Sequence, residues 1–325
     1  MNGSSINGRV IVITGASSGV GRAMAAELAR WGARLVLSAR REEALAEVVN
    51  ECEALGGTAL AHVADVTDAE AVKGLAAKAV EHFGGLDVWI NNAGVLAAGP
   101  FTDTPADIHD QVIRTNLMGY LHGAHAALPH FKGQGHGILI NNISVGGWFP
   151  TPYAVGYTAS KFGLRGFSDA LKGELHAYPH IHVCDLYPGF LDTPGIQHAG
   201  NYTGKVLKPA PPIYDPRRVA RAVVDTIENP VSKRAVGGMA TFLKLAYAFF
   251  PGLSRKITSG MIETYLQQAK DLPPTPGNLL EPVDYGRSID GGWRIPPSSN
   301  QALRGGALAL AGVALGLFLL VKKSS

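Results

Sequence analysis

The sequence has little cysteine: Cys52 and Cys184 are the only two among 325 residues, and they form no CxxC pair. This scarcity argues against a disulfide framework and against a metal site built on cysteine. The eleven histidines are dispersed, without a carboxylate or cysteine partner at a ligand spacing, so we expect no bound metal. We expect two reduced thiols in a reducing compartment.

Charge is also sparse. The net charge is +3, and charged residues make up 17% of the chain. Lysine and arginine are scattered and form no basic run interleaved with aromatic residues, which excludes the usual pattern of a nucleic-acid binder. The first eight residues contain neither a basic segment nor an apolar one, so we expect no signal peptide.

Short apolar runs alternate with helical patterns through the first two thirds of the chain. The runs at residues 9–13, 34–37, 59–63, 86–90, 138–141 and 181–186 predict strands, and helical patterns cover residues 21–31, 42–55 and 69–83. Strands that are apolar throughout are typical of a parallel sheet buried on both faces. The alternation predicts one α/β domain with a doubly wound parallel sheet, residues 1–270.

The character of the sequence changes after residue 270. Six prolines lie between residues 271 and 303, which predicts a semi-extended, poorly ordered linker. Residues 305–321 carry no charge, and a helix of that length covers ~25 Å, at the short end for a membrane span. We predict that residues 304–323 form an apolar membrane anchor, against the alternative of a buried core helix.

A second apolar run covers residues 235–253 and is interrupted by Lys244. It is interpreted either as a helix over the substrate pocket or a subunit interface, or as a membrane-facing helix beside the anchor. The sequence leaves these alternatives open.

A glycine-rich turn follows the first predicted strand, where residues 14–21 read TGASSGVG. Glycines allow a tight turn and a close approach of the backbone to a pyrophosphate, and the following helix offers free N–H groups at its positive end. The turn predicts a dinucleotide site. Its predicted cofactor contacts are Gly15, Ser17, Ser18, Gly19, Val20 and Gly21.

The end of the second strand indicates which dinucleotide binds. An acidic residue there would bind the ribose hydroxyls and repel a 2′-phosphate, but this sequence has Ala39 followed by Arg40. A guanidinium fork matches a phosphate, so Arg40, assisted by Ser38 or Arg41, predicts NADP(H) over NAD(H). The alternative is that Arg40 and Arg41 only begin the solvated helix after the strand.

Tyr157 and Lys161 lie four residues apart, which places both side chains on one face of a helix. An ammonium beside a phenol favours the phenolate and lowers its pKa from ~10. Tyr157 is therefore a candidate proton donor and acceptor near neutral pH.

Taken together, these motifs resemble the classical short-chain dehydrogenase/reductase family, with its Rossmann-like fold, over roughly residues 8 to 260. The turn TGxxxGxG, the Asn91–Asn92–Ala93–Gly94 motif, Asn116 and the Tyr157-x-x-x-Lys161 pair occur in the family's order. Ser144 lies thirteen residues before Tyr157, and Pro188-Gly189 with Thr193 follows.

The resemblance implies a catalytic set and further cofactor contacts. The implied catalytic residues are Asn116, Ser144, Tyr157 and Lys161. The implied cofactor contacts are Asp65, Val66, Asn92, Ala93, Gly94, Tyr157, Lys161, Pro188, Gly189 and Thr193. Ser144 and Tyr157 are expected to hydrogen-bond the reacting oxygen, Lys161 to hold the nicotinamide ribose, and Asn116 to position a water that connects Lys161 to solvent. For Asp65, a place in the N-cap region of the next helix is the alternative.

These observations predict an NADP(H)-dependent oxidoreductase that interconverts an alcohol and a carbonyl, anchored to a membrane with the domain facing the cytoplasm. Apolar residues such as Trp148, Phe149 and Phe190 favour a lipophilic substrate: a steroid, retinoid, or lipid-derived aldehyde or ketone. A dehydratase or epimerase on the same scaffold and a non-catalytic, membrane-tethered NADP(H) sensor are the alternatives. A homo-oligomer is left open.

Overall fold

Seven parallel strands form the central sheet of the computed structural model, which describes residues 6–294. In chain order, the strands of this part of the chain are β1 (Val10–Thr14), β2 (Arg34–Ala39), β3 (Thr58–Val63), β4 (Val88–Asn91), β5 (Ala97–Ala98), β6 (Gly137–Asn142), β7 (Ile181–Pro188), β8 (Gly200–Asn201) and β9 (Lys233–Val236). The sheet has the order β3-β2-β1-β4-β6-β7-β9, and β5 pairs with β8. The strand order reverses direction at β1 and β4, which is where doubly wound folds bind ligands.

Helices cover both faces of the sheet. Those within residues 6–294 are α1 (Gly19–Arg30), α2 (Glu42–Ala54), α3 (Ala69–Phe83), α4 (Ala106–Ile113), α5 (Gly119–Gln134), α6 (Val155–Glu174), α7 (Arg217–Glu228), α8 (Gly238–Phe249) and α9 (Pro251–Gln268). Buried residues of α1, α2 and α7 form one core cluster, and those of α3, α5 and α6 contribute to another on the opposite face.

Strand β1 shows why the apolar runs fold as they do. All five of its residues are buried. Ile11 and Ile13 join the core on one face, while Val10 and Val12 join the core on the other. Since successive side chains of a strand point to opposite faces, a strand covered on both sides must be apolar throughout. The predicted single Rossmann-like α/β domain with a parallel sheet is confirmed.

Strand β9, with the sequence KRAV, was not predicted. It pairs only with β7, at the edge of the sheet, and three of its four residues are at least partly exposed. An edge strand that is half polar lacks the continuous apolar pattern by which the other strands were predicted.

The apolar run at residues 235–253 is divided between three elements. It includes the end of β9, all of α8 and the start of α9 at Pro251. Helix α8 has only Ala240 buried, and it forms a hairpin with α9 at the rim of the domain. In the part of the chain that the structure describes, we find no helix with the length and apolar character that a membrane crossing requires.

Residues 271–294 differ from the predicted poorly ordered linker. They contain no helix, but they pack along the domain: Thr275 bridges Asn201, Asp271 bridges Lys205, and Leu279 is 0% exposed. We call residues 271–294 the C-terminal strap. The prolines prevent a helix in this segment. Its main-chain carbonyls and single apolar side chains bind the domain instead.

The remainder of the predicted C-terminal region lies outside the described residues. This applies to residues 295–303 of the linker and to the apolar anchor helix at residues 304–323. The domain boundaries at residues 270 and 303 stay predictions.

Candidate active site

Helix α6 carries Tyr157 and Lys161 on one face, directed toward the carboxyl end of the sheet. Tyr157 is half-buried and Lys161 is 4% exposed. The Lys161 Nζ lies 5.6 Å from the centroid of the Tyr157 ring and 5.1 Å from that of Tyr120. The two side chains therefore share a pocket that water reaches poorly.

Burial controls the protonation of this pair. It raises the pKa of Tyr157, while a side-chain hydrogen bond with Ser144 lowers that pKa by a smaller amount. Burial also lowers the pKa of Lys161 to about 7. The sequence predicted that the Lys161 ammonium lowers the pKa of Tyr157, whereas in the structure that pKa is raised. Desolvation of the phenol outweighs the effect of a lysine that is itself desolvated.

Ser144 follows β6 in a strained conformation. Its φ of 103° lies in the left-handed region, which costs a non-glycine residue ~1–3 kcal/mol. Its Oγ accepts a hydrogen bond from the Gly146 N–H at 3.2 Å. A Cβ on Gly146 would lie 2.9 Å from the Tyr157 ring, so the turn and the ring are in close contact. The turn therefore places Ser144 beside Tyr157, with which its side chain forms a hydrogen bond.

Asn116 lies in a π-helical turn, Arg114–Met118, between α4 and α5. Its Oδ1 accepts from the Val95 N–H at 2.8 Å, and its Nδ2 donates to the Val95 carbonyl at 2.9 Å and to Ser160 Oγ at 3.2 Å. These bonds use both amide hydrogens and brace the segment after β4 against α6. The water-positioning role implied by the resemblance stays a prediction.

The glycine-rich turn joins β1 to α1 and packs against the Asn92 motif. A Cβ on Gly15 would lie 2.7 Å from the Ala93 Cα, and one on Gly21 would lie 2.1 Å from the Gly15 carbonyl oxygen. Asn92 Nδ2 donates to the carbonyls of Thr14 and Gly15 at 3.0 and 3.2 Å. Only glycine fits these two positions, and Asn92 holds the turn in place.

Ser38 and Arg40 lie at the end of β2, at the predicted adenosine end of the groove. The Ser38 hydroxyl is buried and has no hydrogen-bond partner among the described residues, although it lines the cavity. An orphaned hydroxyl of this kind fits a cofactor hydroxyl or phosphate oxygen. Burial lowers the pKa of Arg40, opposed by the nearby Asp65 carboxylate.

Sequence reasoning did not foresee what Arg40 and Arg41 contact. Arg40 donates to the carbonyl of Asn278 at 2.5 Å, and Arg41 pairs with Asp284 at 3.0 Å. Both partners belong to the C-terminal strap. The two arginines therefore do not simply begin a solvated helix, since they also hold a segment that is more than two hundred residues away.

Asp65 makes an Asx turn, because its Oδ1 accepts from both the N–H and the hydroxyl of Thr67 at 2.8 Å. The N-cap of α3 is Asp68. Asp65 thus has the local structural role considered as its alternative, and it also lines the cavity beside Val66.

The loop after β7 carries Pro188, Gly189 and Thr193. Thr193 lies against the glycine-rich turn, and a Cβ on Gly19 would be 3.4 Å from the Thr193 Cβ. The neighbouring Asp192 is 2% exposed, and its pKa is held low, despite its burial, by bonds from Trp293 and Arg294 of the strap.

One cavity of about 2120 Å³ joins these groups. Every predicted site residue except Asn116 lines it. The predicted residues on its wall are Gly15, Ser17, Ser18, Gly19, Val20, Gly21, Ser38, Arg40, Arg41, Asp65, Val66, Asn92, Ala93, Gly94, Ser144, Tyr157, Lys161, Pro188, Gly189 and Thr193. The motifs are far apart in sequence, and the sheet topology brings them to one edge.

The cavity also has an apolar half that the site prediction missed. Helices α8 and α9 line it together with Phe149, whose ring lies 5.9 Å from that of Tyr247 on α8. The lining residues from the two helices include Met239, Phe242, Leu243, Ala246, Phe249, Leu253, Ile257, Met261 and Leu266. The apolar run at residues 235–253 was the available signal. The structure agrees with the pocket alternative for this run, while the subunit-interface and membrane-facing alternatives stay predictions.

Comparison with known protein sequences identifies the family to which the chain is similar. The short chain dehydrogenase family matches residues 9–201 of this chain. The uncharacterized oxidoreductase YxnA of Bacillus subtilis (strain 168) is 34% identical over 295 residues, which cover 88% of this chain and 82% of that protein. The 11-beta-hydroxysteroid dehydrogenase-like 4A protein of Arabidopsis thaliana is 38% identical over 190 residues, which cover 58% of this chain and 62% of that protein.

A solved structure shows the same architecture. An alcohol dehydrogenase from the archaeon Thermococcus sibiricus, complexed with 5-hydroxy-NADP, is 30% identical, with a TM-score of 0.61 over 70% of this chain and 95% of that one. The family match covers more than half of this sequence, and YxnA aligns with most of it. The chain therefore belongs to the short-chain dehydrogenase/reductase family and is an oxidoreductase of that family.

Proposed function

We propose that the protein is an NADP(H)-dependent oxidoreductase that interconverts an alcohol and a carbonyl on a lipophilic substrate. One observation carries the proposal. Ser144, Tyr157 and Lys161 line the same cavity as the glycine-rich turn and the apolar residues of α8 and α9.

The protein's own residues account for the proton and for the developing charge. A nicotinamide cofactor supplies the hydride of this chemistry. Tyr157 donates its proton to the substrate oxygen as general acid, and Ser144 hydrogen-bonds the same oxygen as negative charge develops there. Lys161, with a pKa of about 7, is poised to take up and release a proton close to Tyr157. Oxidation of an alcohol follows the same path in reverse.

The proposed preference for NADP(H) over NAD(H) is argued from the residues at the predicted adenosine end of the cofactor groove. The strand ends in Ala39 where an acidic residue would repel a 2′-phosphate, and Arg40 and Arg41 both line the cavity. The orphaned Ser38 hydroxyl adds a further hydrogen-bonding group. The structural neighbour complexed with 5-hydroxy-NADP agrees with this choice.

The lipophilic substrate is inferred from the apolar half of the cavity. Ligand pockets commonly measure ~300–1000 Å³, so the volume here leaves room for a large substrate beside a dinucleotide. The name of the Arabidopsis thaliana relative, a hydroxysteroid dehydrogenase-like protein, is consistent with a substrate of this class.

We also propose that residues 304–323 anchor the protein to a membrane, with the catalytic domain in the cytoplasm where NADPH is available. The uncharged run at residues 305–321 and its flanking basic residues support this placement.

The test is cofactor consumption by the full-length protein with a panel of steroids, retinoids, long-chain aldehydes and small ketones. We expect turnover with NADPH that exceeds turnover with NADH. Tyr157→Phe should lose roughly 10²–10⁴-fold in turnover, because it removes the proton donor, while NADPH binding measured by fluorescence is kept.

Tyr178→Phe serves as the matched control, because Tyr178 lies on the surface beside Lys132 and does not line the cavity. Turnover that survives Tyr157→Phe would refute the proton-donor assignment. Equal use of NADH would refute the cofactor preference alone.

A further inference from the structure

The C-terminal strap runs along the mouth of the cofactor groove from one end to the other. Its residues line the same cavity as the glycine-rich turn. Those on the cavity wall are Asn278, Pro282, Val283, Tyr285, Gly286, Arg287, Trp293 and Arg294. The strap contacts the adenosine end, the glycine-rich turn and the loop after β7 in that order.

At the adenosine end, the strap is attached by its main chain. Arg40 donates to the carbonyls of Asn278 at 2.5 Å, Leu279 at 3.4 Å and Leu280 at 3.5 Å. Arg41 donates to the Val283 carbonyl. The guanidinium groups that are candidates for a 2′-phosphate are therefore also the points to which the strap is tied.

Leu279 is the apolar anchor of this attachment. It is 0% exposed and packs with the cluster of Val95, Ala97, Ile108 and Val112. Gln111 Nε2 donates to its carbonyl at 3.2 Å. Leu280, the next residue, is 53% exposed and belongs to no core cluster.

In the middle, the strap touches the glycine-rich turn. The Gly19 N–H donates to the Ser288 carbonyl at 2.9 Å, and Arg22 Nη1 donates to the Arg287 carbonyl at 3.0 Å. Arg287 in turn pairs with Glu47 of α2 at 2.7 Å.

At the far end, ion pairs tie the strap beside the loop after β7. Asp192 accepts from the Trp293 N–H at 2.7 Å and from Arg294 Nε at 2.9 Å. Asp290 forms a two-bond pair with Arg217 of α7, with both bonds at 2.8 Å. Bidentate pairs of this kind are among the stronger ion pairs in proteins.

With the strap seated, residues of the groove and of the strap line one and the same cavity. Ser17, Ser18 and Val20 line it together with Gly286 of the strap, and the Ser38 hydroxyl has no partner among the described residues. The volume of about 2120 Å³ leaves room for a dinucleotide beside the seated strap. A dinucleotide in this space would be enclosed along its length. Each guanidinium has five N–H donors, so Arg40 and Arg41 can bind strap carbonyls and a phosphate together.

We propose that the C-terminal strap is the outer wall of the cofactor site, that Leu279 positions it, and that it must lift before the dinucleotide leaves. The proposal rests on the nicotinamide cofactor of the proposed function. It assigns a cofactor-retaining role to residues that follow the end of the family match at residue 201.

The experiment measures NADPH dissociation by stopped-flow fluorescence on the full-length protein. Leu279→Ser removes the anchor, and we expect dissociation to accelerate by roughly tenfold or more with little change in the association rate, as is usual when contacts of a bound state are lost. Leu280→Ser is the matched control, with the same substitution one residue along the strap, and should dissociate at the wild-type rate.

A second variant keeps the experiment decisive if Leu279→Ser fails to fold. Asp290→Asn weakens the far attachment without changing any residue that lines the cavity, and it should also accelerate dissociation. Its control is Asp225→Asn, an exposed position on α7. Hydrogen exchange should show NADPH protecting the amides of residues 278–288 in the wild type and protecting them less in Leu279→Ser.

Unchanged dissociation in both Leu279→Ser and Asp290→Asn, with both proteins folded, would overturn the proposal. Tighter NADPH binding by Leu279→Ser would also overturn it, since the strap would then compete with the cofactor. Failure of the wild type to bind NADPH would count against the proposed function instead, so the two failures are distinguishable.

Discussion

Lys161 carries an amino group in a place that disfavours its charge. It is 4% exposed, the rings of Tyr120 and Tyr157 lie near it, and burial lowers its pKa from 10.5 to about 7. In the unfolded chain the same lysine keeps its ordinary pKa. Between these two pKa values the unfolded state binds more protons than the folded one, so the stability of the fold rises with pH across that window.

The unfolding free energy of the wild type should therefore rise relative to that of Lys161→Met as the pH increases above about 7. The expected slope is ~1.4 kcal/mol per pH unit, and it disappears as the pH approaches the ordinary lysine value. Urea unfolding of both proteins at a series of pH values measures it. Lys132→Met, at a partly exposed lysine, is the control for the removal of a lysine side chain as such. A parallel curve for Lys161→Met would show that Lys161 stays charged in the folded protein.

At the scale of elements, α8 presents apolar residues to the cavity and to solvent. Phe242, Leu243 and Phe249 line the cavity, and Phe249 at the end of the helix is also 72% exposed. The Lys244 Nζ lies 4.4 Å from the centroid of the Trp148 ring, a cation–π contact between α8 and the segment after β6. Helix α8 therefore forms part of the apolar wall of the cavity, in the half where we propose that the substrate binds.

Ala246→Trp should narrow that half of the cavity. We expect kcat/KM to fall roughly tenfold or more for steroid-sized or long-chain substrates, since even one misplaced methylene is worth ~1–3 kcal/mol in an apolar pocket. A small ketone should be affected much less. Ala248→Trp on the same helix is the control, because Ala248 is exposed and does not line the cavity. An equal loss for all substrates would indicate general damage rather than a size limit.

At the scale of the whole molecule, the proposed membrane anchor is residues 304–323, which lie outside the described residues 6–294. Within residues 6–294 no helix is suited to span a membrane. The alternative lipid contact is the apolar tip of the α8–α9 hairpin, where Phe249 and Phe250 are exposed and also line the cavity.

Carbonate extraction separates these contributions. The full-length protein should stay with the membrane pellet, and a chain truncated before Gly305 should be released, because the uncharged run supplies nearly all of the apolar area needed for insertion. Release of the full-length protein would contradict the anchor. Retention of the truncated protein would move the attachment to the hairpin.

Most of the fold could be predicted from the sequence because apolar runs, helical periodicity and helix-ending glycines are local patterns. Residues 34–37 and 181–186 were predicted as strands from continuous apolar runs, and β2 and β7 contain them. The predicted helix at residues 69–83 coincides with α3, which begins after the Asp68 cap and ends at Gly84. Strand β9 was missed because an edge strand carries too little of that apolar pattern.

The sequence by itself determined the chemistry of the site: the order and spacing of the motifs place Ser144, Tyr157 and Lys161 together, since parallel strands deliver their carboxyl ends to one edge. Only the tertiary structure decided the environment of that chemistry. Burial moves the Lys161 pKa to about 7, and Arg40 holds the strap at Asn278, 238 residues further along the chain. Desolvation and contacts between distant segments depend on the packing of the whole chain, and no local pattern encodes them.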